Sequence, residues 1–350
     1  MSEHAIQRIT LLSFRTFGDY VLKAPFLFEL RRRYPQAEVT MITNRKGGQV
    51  YPLIDSRLTL VVADHGDAKV RMLRALRRMR RADLAFALDD SRTTLVLSLV
   101  IRAKRKTGWV QGVSLLYGDG GFFAWKSVPA WLSMLVKAVY RPSRIRRPED
   151  KHDGAVELEL LDISLEEKPL ATYRTEFAAA AAIRPEQPYI YCAAEAGWRA
   201  RQLRDEQWAG IVHGLLRAFP HYAIVVHGAA TAMQAFATEP RVVPYRQGSV
   251  AALFEKVSAA SLVIAPDSFA LHLASFYDVP AIGYFGPAHP HRFRPSGPGS
   301  HSLFHQPVCS PCLQRRGDAL CRKGLMQCSS LAAMTASEFV AAAQAIFDQK

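Results

Sequence analysis

The chain has 350 residues, 49% of them apolar, with near-zero mean hydropathy and a formal net charge of +14. That length supports two domains with cores of their own, and no apolar run approaches the length of a membrane-spanning helix. The opening MSEHAIQRIT lacks the basic-then-apolar layout of a secretory signal, and five cysteines are too few for a disulfide scaffold, so the expected compartment is the cytoplasm.

In chain order, RITLLSF (8–14) predicts a strand, and GDYVLKAPFLFELRRRYP (18–35) predicts one amphipathic helix with its capping acid at Asp19. AEVTMIT (37–43), LTLVVAD (58–64) and ADLAFALDD (82–90) continue as strands. The second half repeats the scheme: PYIYCAAE (188–195), a helix through DEQWAGIVHGLLRAFP (205–220), then YAIVVHG, RVVPYR, SLVIAPD and VPAIGYFG. Two successive runs of βα units imply an α/β protein of two doubly wound domains. Their seam falls between about residues 165 and 185, where EEKPL and IRPEQP interrupt the pattern, which places the domains at 1–172 and 173–350. The alanine run at 178–182 reads as helix.

Charge is uneven. Residues 1–148 hold 27 Lys and Arg against 11 Asp and Glu, a net of +16, whereas residues 149–350 carry a net of −2. The excess sits in VRMLRALRRMRRADLAF, IRAKRKTGW and RPSRIRRPEDK, the last with Arg144, Arg146 and Arg147, around an aromatic and apolar stretch at 120–140. A basic surface beside aromatics suits an anionic partner, whether a membrane surface, a phosphorylated glycolipid or nucleic acid; a solvated helix face over an ordinary core gives the same pattern.

Two local patterns carry chemistry. APDSFALHLASFYDVPAIGYFGPAHP (265–290) leaves a strand, sets Asp267 and Ser268 at the mouth of a helix and His272 one turn in, and enters another strand. Asp and Ser are good N-caps, and the free N–H groups of a helix N-terminus can hold a phosphate; a capped βαβ unit with a core histidine reads the same way. Cys309, Cys312, Cys321 and Cys328 form C-x2-C-x8-C-x6-C, a set able to surround zinc or iron tetrahedrally as a closed structural site, or else four reduced thiols in a loop. Cys192, inside a predicted strand, reads as core. No G-x-G-x-x-G follows either first strand, which argues against a dinucleotide dehydrogenase.

The stretch ITLLSFRTFGDYVLKAPFLFELRRRYPQAEVTMIT resembles the opening of the family 9 glycosyltransferases, the ADP-heptose:lipopolysaccharide heptosyltransferase group. SLVIAPDSFALHLASFYDVPAIGYFGP looks like that family's donor-site signature of Asp, Thr or Ser, two variable residues and Leu-His, closed by Phe-Gly-Pro. RRADLAFALDD, and His152, Glu157 and Leu160, whose H-x4-E-x2-L spacing loosely matches an H-x3-E-x2-L pattern, resemble two further landmarks.

The resemblance implies a GT-B architecture, two Rossmann-like domains facing across a cleft, with acceptor bound by the first and nucleotide sugar by the second. It implies inverting displacement with Asp19 as base; taken alone, Asp19 reads as a helix cap. In AEAGWRARQLRDEQW, Arg201 aligns best with the family's phosphate-binding Lys, with Arg199 and Arg204 as substitutes. Donor contacts would come from these arginines and from Asp267, Ser268, Phe269 and His272, acceptor contacts from Gly18, Arg144, Arg146 and Arg147. Phe269 stands where the family has Gly, and Pro266 replaces another common Gly, so Phe269 either crowds a phosphate or packs under the nucleotide.

The implied reaction moves a heptose-like sugar from an ADP-type donor to an anionic glycolipid such as lipopolysaccharide inner core, at the cytoplasmic side of the inner membrane, with no catalytic metal. Some members act on autotransporter proteins and hold iron on a related cysteine set, so a protein heptosyltransferase with a protein acceptor is one alternative. A non-catalytic nucleotide-sugar-binding subunit is another. A nucleic-acid partner is not expected: the basic half matches no known nucleic-acid fold, and the cysteines lie in the neutral half.

Overall fold

A computed structural model describes residues 6–63, 79–89, 91–108, 152–161, 186–197, 199–246, 248–309 and 327–349, together with Leu76, Ile163 and Leu325. The chain divides into two compact units, Met1–Lys168 and Pro169–Lys350. The interdomain seam, the alanine run at 178–182, the aromatic stretch at 120–140, and Arg144, Arg146, Arg147, Cys312 and Cys321 lie outside the described residues.

The first unit is built on five parallel strands, β1 (Arg8–Ser13), β2 (Glu38–Asn44), β3 (Thr59–Ala63), β4 (Ala82–Ala87) and β5 (Ala103–Gly108), in the order β3-β2-β1-β4-β5. Parallel strands need helical crossovers, and those helices cover both faces, so β1 and β4 are buried almost throughout. The helices are α1 (Phe17–Val21), α2 (Ala24–Arg33), α3 (Arg45–Ile54), α4 (Arg92–Val100) and α5 (Asp153–Val156). On one face Leu12, Ile42 and Ala85 pack with Leu97 and Ile101 of the α4 segment. On the other, Phe26 of α2 meets Phe86 of β4 edge-on at 5.3 Å.

Two expectations are corrected here. The predicted single helix at 18–35 is broken into α1 and α2, because Pro25 at the start of α2 has no N–H with which to continue α1. The basic run IRAKRKTGW contains strand β5, whose charges are partly spent within the unit: Lys104 pairs with Asp83 at 2.7 Å, and Lys106 Nζ donates to the Ser98 carbonyl at 2.9 Å. Buried Arg31, paired with Asp55 at 2.7 Å, withdraws another cation from the surface.

The second unit has six parallel strands, β6 (Tyr189–Ala193), β7 (Ala223–His227), β8 (Val242–Tyr245), β9 (Leu262–Pro266), β10 (Ala281–Tyr284) and β11 (His301–Leu303), in the order β11-β10-β9-β6-β7-β8. Its helices are α6 (Asp205–Ala218), α7 (Ala230–Gln234), α8 (Val250–Ser258), α9 (Phe269–Phe276), α10 (Pro290–Phe293), α11 (Ser329–Ala332) and α12 (Ala336–Phe347). Trp208 and Leu215 of α6 and Phe339 of α12 pack with Ile190, Cys192 and Ile264 in the main core, so Cys192 is a core residue, and burial raises its thiol pKa. Gln207 of α6 ties the C-terminal segment down, donating to the carbonyls of Leu331 and Met334. Among the described residues no helix is long and apolar enough to cross a membrane.

Candidate functional site

Both sheets reverse their order at the first strand, between β1 and β4 in the first unit and between β6 and β9 in the second. Open α/β sheets bind ligands at the carboxyl ends of the strands beside such a switch point. The candidate ligand-binding residues are therefore those that leave β1, β6 and β9.

After β1 the chain runs Ser13-Phe14-Arg15-Thr16 into α1, and its polar groups are tied down from several directions. Thr43 Oγ1 donates to the Ser13 carbonyl at 2.7 Å and Asn44 Nδ2 to the Arg15 carbonyl at 3.1 Å. Asp89, at the end of β4, accepts from Phe14 N, from Ser91 N and from Thr94 Oγ1. Buried Tyr20 accepts from Arg15 N at 2.8 Å and donates to Arg15 O at 2.7 Å.

Asp19 stands on this scaffold, half-buried. It occupies the third position of α1, not the cap: its Oδ2 accepts from Thr16 N at 3.1 Å and Thr16 Oγ1 at 2.7 Å in a capping box. Burial pushes its pKa up, but Lys23, Arg15 and the Thr16 bonds outweigh that and hold it at about 2. Lys23 is itself buried, with Nζ 3.3 Å from the Asp19 carbonyl and 3.6 Å from Glu157 Oε1. Glu157 follows α5, whose N-cap is His152, and Leu160 lies in the adjoining core. The loosely spaced landmark thus brings a counter-charge to the helix junction beside Asp19. Gly18 lies next to Asp19 in α1.

In the second unit Arg201, from a short 3-10 turn after β6, reaches the end of β9. Its Nη1 lies 3.0 Å from the Asp267 carbonyl and 3.0 Å from Asp267 Oδ2. His272 Nε2 is 3.6 Å from Asp267 Oδ1, and its ring tilts against Phe293 at 6.2 Å. The expected capping is corrected: Asp267 is spent on Arg201 and His272, while Ser268 holds the N-cap position with a hydroxyl that makes no cap bond. Phe269 packs edge-on to Phe254 of α8 at 5.9 Å. Arg199 and Arg204 are exposed, and of the three arginines only Arg201 joins Asp267 among the described residues.

Several residues that shape these sites escape a linear reading. Asp89 and Asn44 are polar residues at strand ends, and the pairing of β1 with β2 and β4 is what turns them toward one loop, while Lys23, between α1 and α2, meets Glu157. Of the acids in RRADLAFALDD, Asp83 belongs to the opposite end of the sheet, where it accepts from Gln7 N and Arg8 N. Cys328 is buried as the N-cap of α11, and Cys309 is half-buried. No group of three or more metal-binding side chains occurs among the described residues.

The same architecture is found in solved structures. The chain matches the glycosyl transferase family 9 protein of Veillonella parvula DSM 2008 at 16% identity over 99% of both chains, with a TM-score of 0.69. It matches the E. coli heptosyltransferase WaaC, solved with ADP, at 15% identity over 98% of this chain and 100% of that one, with a TM-score of 0.66. The iron-containing dodecameric glycosyltransferase TibC of enterotoxigenic E. coli H10407 matches at 10% identity over 98% of this chain and 77% of that one, with a TM-score of 0.59. No curated protein matches by sequence. The family model for glycosyltransferase family 9 (heptosyltransferase) spans residues 70–321, more than half of the chain, taking in both β4 and the Asp267–His272 turn. With two doubly wound parallel sheets of GT-B type and that family's model over most of its length, the chain belongs to glycosyltransferase family 9 and is a glycosyltransferase.

Proposed function

We propose that the protein transfers a heptose-like sugar from an ADP-type nucleotide donor to an anionic acceptor, by inverting displacement. The observation that carries this reading is the Arg201–Asp267 pair, which sets a guanidinium beside the N-terminus of α9 at the switch point of the second unit. Free N–H groups, a helix dipole and a guanidinium are the groups that a diphosphate leaving group needs as its charge grows. WaaC was solved with ADP and with ADP-2-deoxy-2-fluoro heptose, which supports the same donor class here. Ser268 and His272 would flank the diphosphate, with Arg199 and Arg204 as outer cations.

Asp19 is the base in this scheme. The acceptor hydroxyl oxygen bonds to the anomeric carbon, the bond from that carbon to the diphosphate breaks, and the hydroxyl proton passes to the Asp19 carboxylate. A carboxylate with a pKa of about 2 is a weak base toward a free alcohol. It is adequate late in attack, when the half-bonded hydroxyl has become a far stronger acid.

The acceptor reading rests on charge: the net +16 of residues 1–148 supports an anionic glycolipid such as lipopolysaccharide inner core, met at the inner membrane surface through Gly18, Arg144, Arg146 and Arg147. Acceptor binding that is insensitive to salt overturns that part.

For the metal, four cysteine sulfurs suit zinc or iron in a closed, structural site. TibC contains iron. Cys309, Cys312, Cys321 and Cys328 would hold the ion and no step of the transfer would use it. The deciding experiment for the whole reading is a panel of ADP- and UDP-sugars scored for binding and for hydrolysis. Turnover of ADP-heptose above the other donors is expected, and binding of every donor without turnover favours a non-catalytic subunit.

A further inference from the structure

We infer that Glu195 receives the ribose hydroxyls of the donor nucleotide, an assignment that rests on the nucleotide-sugar reading above. In a sheet of this order the phosphates sit at a helix N-terminus near the switch point, and the ribose meets a carboxylate that ordinarily stands at the end of the second strand. The second strand of this unit is β7, and it ends His227-Gly228-Ala229 with no acid. β8 beyond it ends at Tyr245, followed by Arg246.

The carboxylate comes instead from the first strand. Ala194 N donates to the His227 carbonyl at 2.8 Å, carrying the β6–β7 pairing one residue past β6, and Glu195 follows at once. Its side chain lies across the end of β7: a Cβ added to Gly228 would sit 2.3 Å from Glu195 Cγ and 3.1 Å from Glu195 Oε1. Gly228 has φ +89 and Ala229 φ 51, so two successive residues take positive φ beneath the acid. A side chain at 228 would collide with Glu195 and strain the turn together. Glu195 remains exposed, so its oxygens are open to a ligand.

The neighbours fall in the order a nucleotide needs. Arg201 and the start of α9 mark the end of β9; Glu195 lies over β6 and β7, one to two strand spacings away, about 5–10 Å. Beyond the acid, His227 and Tyr245 stand edge-on at 5.5 Å, and Tyr191 OH meets His227 Nδ1 at 2.9 Å. Burial lowers the His227 pKa while the Glu195 charge works against that shift. An aromatic rim therefore follows the carboxylate, on the side away from the phosphate end.

The test is calorimetric titration of the full-length protein with ADP and with ADP analogues lacking the 2'- or the 3'-hydroxyl, in the wild type and in Glu195→Ala and Glu195→Gln. Hydrogen bonds to a charged acceptor predict that the wild type loses about tenfold in affinity for at least one analogue. Glu195→Ala should bind ADP about tenfold more weakly and bind ADP and that analogue alike. Its thermal midpoint should stay near the wild-type value, since the side chain is exposed. If Glu195→Ala binds ADP and keeps the wild-type preference for the hydroxyls, the assignment falls while the nucleotide-sugar reading stands. If the wild type does not bind ADP, both fall.

Discussion

Arg201 Nη1 stands 3.0 Å from both the main-chain oxygen and the Oδ2 of Asp267, so one guanidinium joins the turn after β6 to the end of β9 across the switch point of the second sheet. Lys could supply the charge at that place, but not the several donors of a planar guanidinium. If the guanidinium meets the diphosphate as proposed, Arg201→Ala should weaken ADP binding by about 1.5–3 kcal/mol, with a smaller loss for AMP. Arg201→Lys should recover part of the loss. Titrations of ADP, AMP and adenosine against each variant check this; equal losses for all three would place Arg201 in folding and not in diphosphate binding.

Asp19 carries a signed pH prediction. Its folded pKa of about 2 lies below the ordinary 3.8, so the folded state favours the charged form. The stability this adds is complete above the unfolded pKa and is lost as pH falls from about 4 through about 2. Asp19→Asn should flatten acid unfolding of the first unit in that window. It should also lower turnover by roughly a hundredfold or more with ADP affinity unchanged, the pattern for removing a general base. Turnover near the wild-type rate rules out the base role.

Which parts were legible in the sequence follows from what each signal depends on. Strands β1, β4, β6, β7 and β9 are largely apolar runs buried on both faces, and that pattern is local. β5 was hidden because AKRKTG is a charged edge strand, where exposure tolerates Lys and Arg. The Asp267–His272 turn was visible as a motif, yet its division of labour was not. Asp267 is drawn from capping by Arg201, whose position depends on the β6–β9 pairing. Asp89 and Phe14, bonded across the first sheet, stand 75 residues apart, and only the parallel register of β1 and β4 brings them together.

Lys23 and Glu157 form a buried pair at 3.6 Å beside the α1–α2 junction. Removing one partner of such a pair leaves the other charged in a low-dielectric site, at a cost of about 3–5 kcal/mol. Glu157→Gln should therefore lower the thermal midpoint of the first unit well beyond a surface substitution. Lys23→Met combined with Glu157→Gln should recover much of it, since the stranded charge is gone. A double variant no more stable than Glu157→Gln alone would show that the loss is one of packing, not of an uncompensated charge.

Phe269 is turned toward Phe254 of α8, edge-on at 5.9 Å, which identifies its ring as packing for the helix layer. Phe269→Gly should cost about 1–3 kcal/mol of stability, less than a fully buried Phe because the residue is half-buried. ADP affinity should stay within about twofold if the ring stays packed on Phe254 when the donor binds. A variant that binds ADP more tightly would mean that the ring crowds the diphosphate after all.

The four-cysteine segment is the part of the proposal least dependent on kinship. Cys328 is buried as the N-cap of α11, and Gly286, just past β10, lies so close that an added Cβ would meet Cys328 Sγ at 3.2 Å. Two residues on, Ser330 Oγ donates to the Phe285 carbonyl at 2.7 Å and accepts from His305 N. One end of the segment is thus pinned to the carboxyl end of β10. Thiolates bind zinc or iron as anions, so a filled site would draw the segment from Cys309 to Cys328 against that anchor, and metal binding would appear as folding stability. One metal per chain is expected by elemental analysis of protein purified without chelators or an affinity-tag metal. Cys312→Ser should lower metal content and thermal midpoint together, while Cys192→Ser, in the core of β6, should leave metal content unchanged. Turnover should fall only as far as the second unit loosens, because four protein ligands leave no open position for chemistry. Substoichiometric zinc and iron, with all four thiols titrating freely in the native protein, would reduce the segment to an ordinary loop of reduced cysteines.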